Sequence, residues 1–74
     1  MTEQTVEVGD LFRDNDKRLK GSRIVKVVRI EGPLAIVENV EHWDEKRIGR
    51  RTCVAMYRLR SMSDRQTGYT KISH

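Results

Sequence analysis

A small all-β domain is the fold class that this 74-residue sequence predicts, and three features lead to that prediction. Glycine-centred turn signals recur along the whole chain. The segments between them are short and rich in Val, Ile and Thr, as in antiparallel strands joined by turns. Only 36% of the residues are apolar and 35% are charged, so the core is small and the surface heavily charged. A chain of this length forms one domain, residues 1–74.

The first half of the chain predicts two strands separated by a loop. Residues 5–8, TVEV, alternate polar and apolar side chains, and residues 11–12 continue this first strand into the core. Residues 13–20, RDNDKRLK, predict a long loop because Asp and Asn favour turns. Residues 22–31, SRIVKVVRIE, predict the second strand. Since its apolar residues occupy both faces, we expect either a bulge near Lys26 or burial of both faces of a bent strand.

The second half predicts three more strands and one helical turn. Residues 31–33, EGP, predict a hairpin turn, and residues 34–40, LAIVENV, predict the third strand. The fourth strand is expected at residues 51–54. Residues 56–59 are expected to form a single turn of 3₁₀ helix, because AMYRLR neither alternates nor is long enough for a stable helix. Residues 67–73 predict the last strand.

Five short, curved strands with a 3₁₀ turn before the last are typical of an SH3-like barrel, and this all-β, five-stranded barrel is the predicted fold. Closing the sheet removes exposed strand edges, which otherwise invite aggregation. An OB-like barrel is the alternative, although such domains usually need a longer chain. The expected core consists of Val8, Leu11, Val25, Val27, Ile30, Leu34, Ile36, Val54, Leu59 and Ile72, with Phe12 and Tyr69 at its ends.

Three segments carry a resemblance: VGDLFRDNDKRLKG at 8–21, RRTCVAMYRLR at 50–60 and TGY at 67–69. Together they resemble a family of short uncharacterised proteins from bacteriophages, actinobacteria and other bacteria, which share a VGD…DND.R opening and an RRT…RLR…TGY ending. The family is more distantly similar to the KOW and Tudor group of SH3-like barrels. Residues 61–62, Ser-Met, stand where many relatives have a proline. The resemblance implies a phage or prophage setting, hence a host-cell cytoplasm, and it implies no mechanism.

Composition also predicts a cytoplasmic protein with no membrane segment. The longest apolar runs contain only a few residues, far short of a membrane span. The first residues are acidic and polar, unlike a secretory signal. The single cysteine, Cys53, excludes an internal disulfide and suits a reducing compartment.

No catalytic centre, metal site or cofactor is predicted. Cys53 and His42, with Asp44 nearby, are the only conventional nucleophile and base, and Cys53 is expected to behave as a small apolar residue in its strand. Residues 13–18, RDNDKR, are spaced like part of a calcium loop but lack the downstream glycine and glutamate. We expect its aspartates to cap backbone amides or to pair with Arg18 and Arg23 instead.

The basic second half of the chain is the candidate interface. Residues 42–74 hold eight Lys/Arg against three Asp/Glu, whereas residues 1–41 hold seven against eight. Arginine binds phosphate through two parallel hydrogen bonds, and an exposed aromatic ring among arginines can stack on a base. The predicted nucleic-acid-binding residues are Arg47, Arg50, Arg51, Tyr57, Arg58 and Arg60.

A solvated surface neutralised by nearby carboxylates is the alternative for these arginines. For Trp43, packing is favoured over base stacking. Three functions are therefore carried forward. The first is a non-enzymatic module with weak, sequence-tolerant nucleic-acid binding. The second is a protein-interaction module that docks on an acidic host-protein surface through a groove or a strand edge. The third is a homodimer that completes a small core, and the sequence does not distinguish it from a monomer.

Overall fold

Five strands form one antiparallel sheet in the computed structural model, which describes residues 5–16, 21–60 and 68–72. The strands are β1 (Leu11–Asp14), β2 (Ile24–Glu31), β3 (Leu34–Glu41), β4 (Arg51–Ala55) and β5 (Tyr69–Lys71). A 3₁₀ turn (Glu45–Arg47) precedes β4, and a short helix, α1 (Met56–Arg60), follows it directly. The strand order is β4-β3-β2-β1-β5.

The predicted all-β, five-stranded fold with a helical turn before the last strand is confirmed. The sheet is not closed by backbone pairing, because β4 and β5 lie at its two ends in the strand order. Instead, α1 packs against both of these edge strands. The turn is α-helical where a 3₁₀ turn was expected. It begins where the Met56 N–H donates to the Pro33 carbonyl, 2.8 Å away, which ties α1 to the β2–β3 turn.

The β2–β3 hairpin confirms the predicted turn and the irregularity predicted near Lys26. Residues 32–33 make a two-residue turn in which Gly32 has a φ of 56°, a value that favours glycine. The register shifts on both sides of Lys26, between Ile24 and Val25 and between Val27 and Arg29. Each shift opposes two residues to one, as in a β-bulge. These bulges bend the strand and reset which side chains face inward.

The core differs from the predicted one along β3. Ala35, Val37 and Asn39 are buried, whereas Leu34 is exposed and Ile36 is only partly buried. The side chains on both faces of β3 are apolar at the start of the strand. A shift of one residue in the pairing register would therefore exchange the buried face and the exposed face. Pairing of Ala35 with the buried Val54 of β4 makes that choice. The observed core is Phe12, Val25, Val27, Ala35, Val37, Val54, Met56, Leu59 and Tyr69.

Other expected core residues lie at the margins. Val8, Ile30 and Ile72 are exposed, and each stands in a turn or near the end of a strand. Leu11 is partly buried. Val25, Val27, Val54 and Leu59 are buried as expected, and Phe12 and Tyr69 are fully part of the core.

The first strand begins later than predicted. Residues 5–8 are not a strand, and β1 instead runs through residues 11–14, into the stretch predicted to be a loop. Pairing on both sides explains this: β1 binds β2 along one edge and β5 along the other. These ladder hydrogen bonds outweigh the local turn preference of Asp14. Residues 17–20, 67 and 73, which complete the predicted loop and last strand, lie outside the described residues.

Candidate functional site

The six predicted site residues fall into two groups at opposite ends of β4. The β4-start group consists of Arg47 at the end of the 3₁₀ turn, Arg50 just before β4, and Arg51, the first residue of the strand. The α1 group, Tyr57, Arg58 and Arg60, follows the last residue of the strand. Five extended residues span roughly 15 Å. The structure therefore places the two groups along one line and does not gather them into a single cluster.

Carboxylates accompany two arginines of the β4-start group. Arg51 Nε lies 3.1 Å from Glu38 Oε1 across the β3–β4 ladder, and Arg47 Nε lies 3.7 Å from Asp44 Oδ2. More than half of each arginine side chain is exposed. Exposed pairs of this kind contribute about 0–1 kcal/mol, so a phosphate can displace the carboxylate at little cost. Arg50 is exposed and makes no ion pair with any residue in the described part of the chain.

The backbone of the β4-start group is held by one buried residue, Asn39, through its side chain and its backbone. Its Nδ2 donates to the Arg47 carbonyl at 2.9 Å, and its backbone N–H donates to the Arg50 carbonyl at 2.9 Å. The Asn39 carbonyl accepts from Gly49 N at 2.7 Å, and Gly49 has a φ of 87°, a left-handed conformation that favours glycine. The arginines are thus presented by a loop with a fixed backbone.

The α1 group divides between the two faces of its helix. Met56 and Leu59, three residues apart, are buried. Tyr57 and Arg60, also three residues apart, lie together on the exposed side, and Tyr57 is 73% exposed. The Arg58 guanidinium carbon lies 5.2 Å from the centroid of the Tyr69 ring, so this arginine packs on the core in a cation–π contact. The face with Tyr57 and Arg60 is open to a ligand.

A cluster of polar side chains around the single arginine Arg23 links the strands of the sheet, and only its pair with Asp14 was predicted. Arg23 pairs with Asp14 as expected, with Nη1 2.9 Å from Oδ2, and Asp14 Oδ1 also caps the Asp16 amide. The same guanidinium donates to Asn39 Oδ1 at 3.0 Å and to the Tyr69 hydroxyl at 3.2 Å. A weaker contact at 3.4 Å reaches Thr52 Oγ1. Arg23 therefore connects side chains of β1, β3, β4 and β5.

The pKa of Arg23 reflects this environment. Burial lowers the pKa by disfavouring the charged form, but electrostatic interaction with Tyr69 and hydrogen bonds to Asp14 and Tyr69 outweigh it. The pKa of Arg23 is therefore raised above its ordinary value. This arginine is a permanent cation inside the fold, used for structure and not available to an external ligand.

Residues from the first half of the chain join Arg51 on the outer face of the sheet. Lys26 stands opposite Glu38, and Glu38 stands opposite Arg51, which makes a row of alternating charge across β2, β3 and β4. Arg29 lies on the same face and pairs with Glu31 at 3.2 Å. The fold thus interleaves the charges of the two halves, and sequence separation alone could not show this.

His42, Trp43 and Cys53 do not form a common site. The His42 and Trp43 rings stack with centroids 3.9 Å apart, and His42 Nδ1 accepts from the Asp44 amide at 2.9 Å. Cys53 lies in the middle of β4, in a strand as expected, and its side chain is exposed. It stands opposite Ile36, roughly 20 Å along the chain from His42, which follows β3. The residues that the structure describes hold no group of three or more His, Cys, Asp or Glu able to bind a metal.

Comparison with protein-family models, with curated proteins and with solved structures finds no match for this chain. Within the described residues, no helix has the length and apolar character needed to cross a membrane. What fold and site define is a small all-β domain with arginines at both ends of its edge strand β4. The choice among functions rests on that geometry.

Proposed function

We propose that this domain is a non-enzymatic module that binds single-stranded nucleic acid along β4, weakly and with little sequence preference. The observation that carries the proposal is the exposed face of α1. Tyr57 is the most exposed of the large hydrophobic side chains in the described chain, and it stands one helical turn from Arg60. A small domain normally uses its few aromatic rings in the core, as this one uses Phe12 and Tyr69. An aromatic ring left in solvent beside a guanidinium suits stacking on an unpaired base.

The two groups divide the work of binding. Tyr57 stacks on a base, and Arg60 holds an adjacent phosphate. Arg47, Arg50 and Arg51 hold phosphates at the other end of β4, roughly 15 Å away, so a short run of nucleotides follows the strand. Arg58 stays packed on the Tyr69 ring and attracts the nucleic acid through its positive charge, without contacting it directly. Because every base has an aromatic face and the arginines contact only the backbone, such a site discriminates poorly between sequences.

Salt dependence follows from the number of arginines that reach phosphates. Four of them, Arg47, Arg50, Arg51 and Arg60, are placed to do so. For single strands the slope of log K against log salt is about −0.7 per neutralised phosphate, so we expect a slope of about −3. Binding measured at low salt should therefore fall steeply towards physiological ionic strength.

The test is a titration of fluorescein-labelled oligothymidine and oligouridine, followed by anisotropy at two salt concentrations. Tyr57→Ala removes the stacking ring and should weaken binding about tenfold, within the range for one stacked base. Arg60→Ala should weaken binding and reduce the salt slope by about 0.7. Arg29→Ala is the matched control, because that arginine is similarly exposed but lies on β2, which β3 separates from β4.

Equal affinity in Tyr57→Ala, Arg29→Ala and the unmodified protein would refute the proposal, since only net charge would then matter. Absence of any binding at low salt would refute it outright. A preference for duplex over single strands would also contradict it, because a stacking ring needs an unpaired base.

A further inference from the structure

The edge of β4 is a second feature that invites a partner, and it is independent of Tyr57. Among the strands that the structure describes, β4 pairs with β3 alone. Arg51, Thr52 and Cys53 are exposed in succession, which means that both faces of this edge strand are open at its start. An open edge carries unpaired backbone groups and is a template for another strand.

The hydrogen-bond pattern identifies which backbone groups are open. The Asn39 amide donates to the Arg50 carbonyl, so residue 50 is bonded towards β3. In an antiparallel pair such bonds recur at every second residue, which directs residues 52 and 54 towards β3 as well. Arg51 and Cys53 then direct their N–H and C=O groups away from the sheet, and Ala55 directs its N–H away, while the Ala55 carbonyl faces the first turn of α1. Within the described residues β4 has no strand partner other than β3, so these outward groups of Arg51 and Cys53 are not used in strand pairing.

We propose that this edge accepts an extended, acidic peptide segment of a partner protein as an additional strand. Charge complementarity identifies the occupant. Residues 46–60 carry six Lys/Arg and no Asp or Glu, with cations both before β4 and after it. Two copies paired along this edge would oppose one six-cation segment to another, and like charges facing each other across strands are destabilising. An acidic strand gains the same backbone bonds with attraction in place of repulsion.

The neighbouring side chains define the sequence that the edge selects. Arg51 and Cys53 share the outer face of the sheet with the residues they stand opposite, Glu38 and Ile36. A strand added outside β4 places one residue beside Arg51 and the residue two positions away beside Cys53. The first position should be acidic, since it competes with Glu38 for Arg51. The second should be apolar, since Cys53, Ile36 and the exposed Leu34 form an apolar strip there.

The experiment uses the fluorescein-labelled peptide TETVTET, in which glutamates flank a valine at two-residue spacing in either direction of pairing. Binding to the full chain is followed by anisotropy, and protection of the amides of Arg51, Cys53 and Ala55 by hydrogen exchange. TETPTET has the same charge but lacks the central N–H, and TKTVTKT reverses the charge. In the protein, Cys53→Pro removes one outward N–H while leaving the bonds to β3, and Cys53→Ser is its matched control.

We expect TETVTET to bind at least about ten times more tightly than TETPTET or TKTVTKT. Cys53→Pro should lose about tenfold in affinity, Cys53→Ser and Tyr57→Ala should lose less than twofold, and the three amides should be protected. Equal binding of TETVTET and TETPTET would overturn the proposal, because it would show attraction to charge without strand addition. No binding of TETVTET would overturn it as well. The peptide controls keep the test decisive even if Cys53→Pro fails to fold, and Tyr57→Ala separates this site from the one proposed for nucleic acid.

Discussion

Arg23→Ala tests the central structural claim, which is that one guanidinium links the edges of an unclosed sheet. The substitution removes the cation that faces Asp14, Asn39 and Tyr69. Asp14 then remains as a carboxylate with only about a tenth of its side chain exposed. Asn39 loses the donor to its Oδ1, although its Nδ2 keeps the bond to the Arg47 carbonyl.

The expected cost follows from these contacts. A hydrogen bond to a charged group contributes about 1.5–3 kcal/mol, and a neutral one contributes about 1 kcal/mol. Arg23 itself is 15% exposed and Asp14 is 10% exposed, so solvent screening reduces the pair only slightly. We expect a loss of about 3 kcal/mol in the free energy of unfolding. A 74-residue domain has roughly 4–11 kcal/mol in all, so this loss is a large share.

Urea and thermal denaturation followed by circular dichroism measure this loss. A loss of about 3 kcal/mol corresponds to a fall in Tm of roughly 12–24 °C for a domain of this size. Arg29→Ala is the control, because its pair with Glu31 is mostly exposed and should be worth at most about 1 kcal/mol. Arg23→Lys keeps the positive charge but not the planar guanidinium, so its loss of stability should lie between the losses in Arg23→Ala and Arg29→Ala.

The pKa of Arg23 determines how the stability lost in Arg23→Ala depends on pH. The pKa of Arg23 is raised in the folded state, so the stabilisation is fully present below the unfolded pKa and disappears only as pH rises through the folded one. Both values lie far above neutrality, and the difference between Arg23→Ala and the unmodified protein should be constant from about pH 6 to pH 9. Losses in Arg23→Ala and Arg29→Ala that agree within about 0.5 kcal/mol would show that the sheet edges do not depend on Arg23.

Two further substitutions test how local features support the fold. Gly49→Ala should destabilise by about 1 kcal/mol in urea denaturation, because a φ of 87° is unfavourable for any residue with a Cβ; no loss would mean that the loop relaxes freely. Asp10→Ala should cost about 2–3 kcal/mol, because the buried carboxylate accepts from the Glu7 amide at 2.8 Å and lies 3.2 Å from Lys71 Nζ. Stability unchanged in Asp10→Ala, set against an exposed control such as Glu45→Ala, would contradict the assigned role of that carboxylate.

The elements that the sequence predicted best are those with strong local signals. Gly32 and Pro33 specify a turn by backbone conformation alone, and the flanking strands followed from it. The helical turn after β4 was predicted because AMYRLR does not alternate. The first strand was misplaced because residues 11–14 owe their strand conformation to pairing with β2 and β5, which are distant in sequence. Such pairing leaves no local signal.

The choice of face along β3 could not be predicted for a different reason. Leu34 and Ile36 are more hydrophobic than Ala35, and yet Ala35 is the buried residue. The turn and the bulges together set the pairing register. That register decided which of the two faces of β3, both apolar enough to be buried, turned inward. The same limit applies to the site. Composition identified the arginines, but only the fold separates them into two groups along β4 and assigns Arg23 to the interior.

Arg23 also explains how a small sheet can remain both stable and open at one edge. Its guanidinium approaches β4 from the core side and contacts the Thr52 side chain, not the backbone of that strand. The outward N–H and C=O groups of Arg51 and Cys53 are therefore not consumed in joining the edges. Stability and edge binding should then respond to different substitutions. Arg23→Ala should lower Tm while the folded fraction keeps its affinity for TETVTET. Cys53→Pro should lower that affinity while Tm stays the same. If each variant lost both Tm and affinity, the outward edge of β4 would be part of the link that Arg23 makes between the sheet edges.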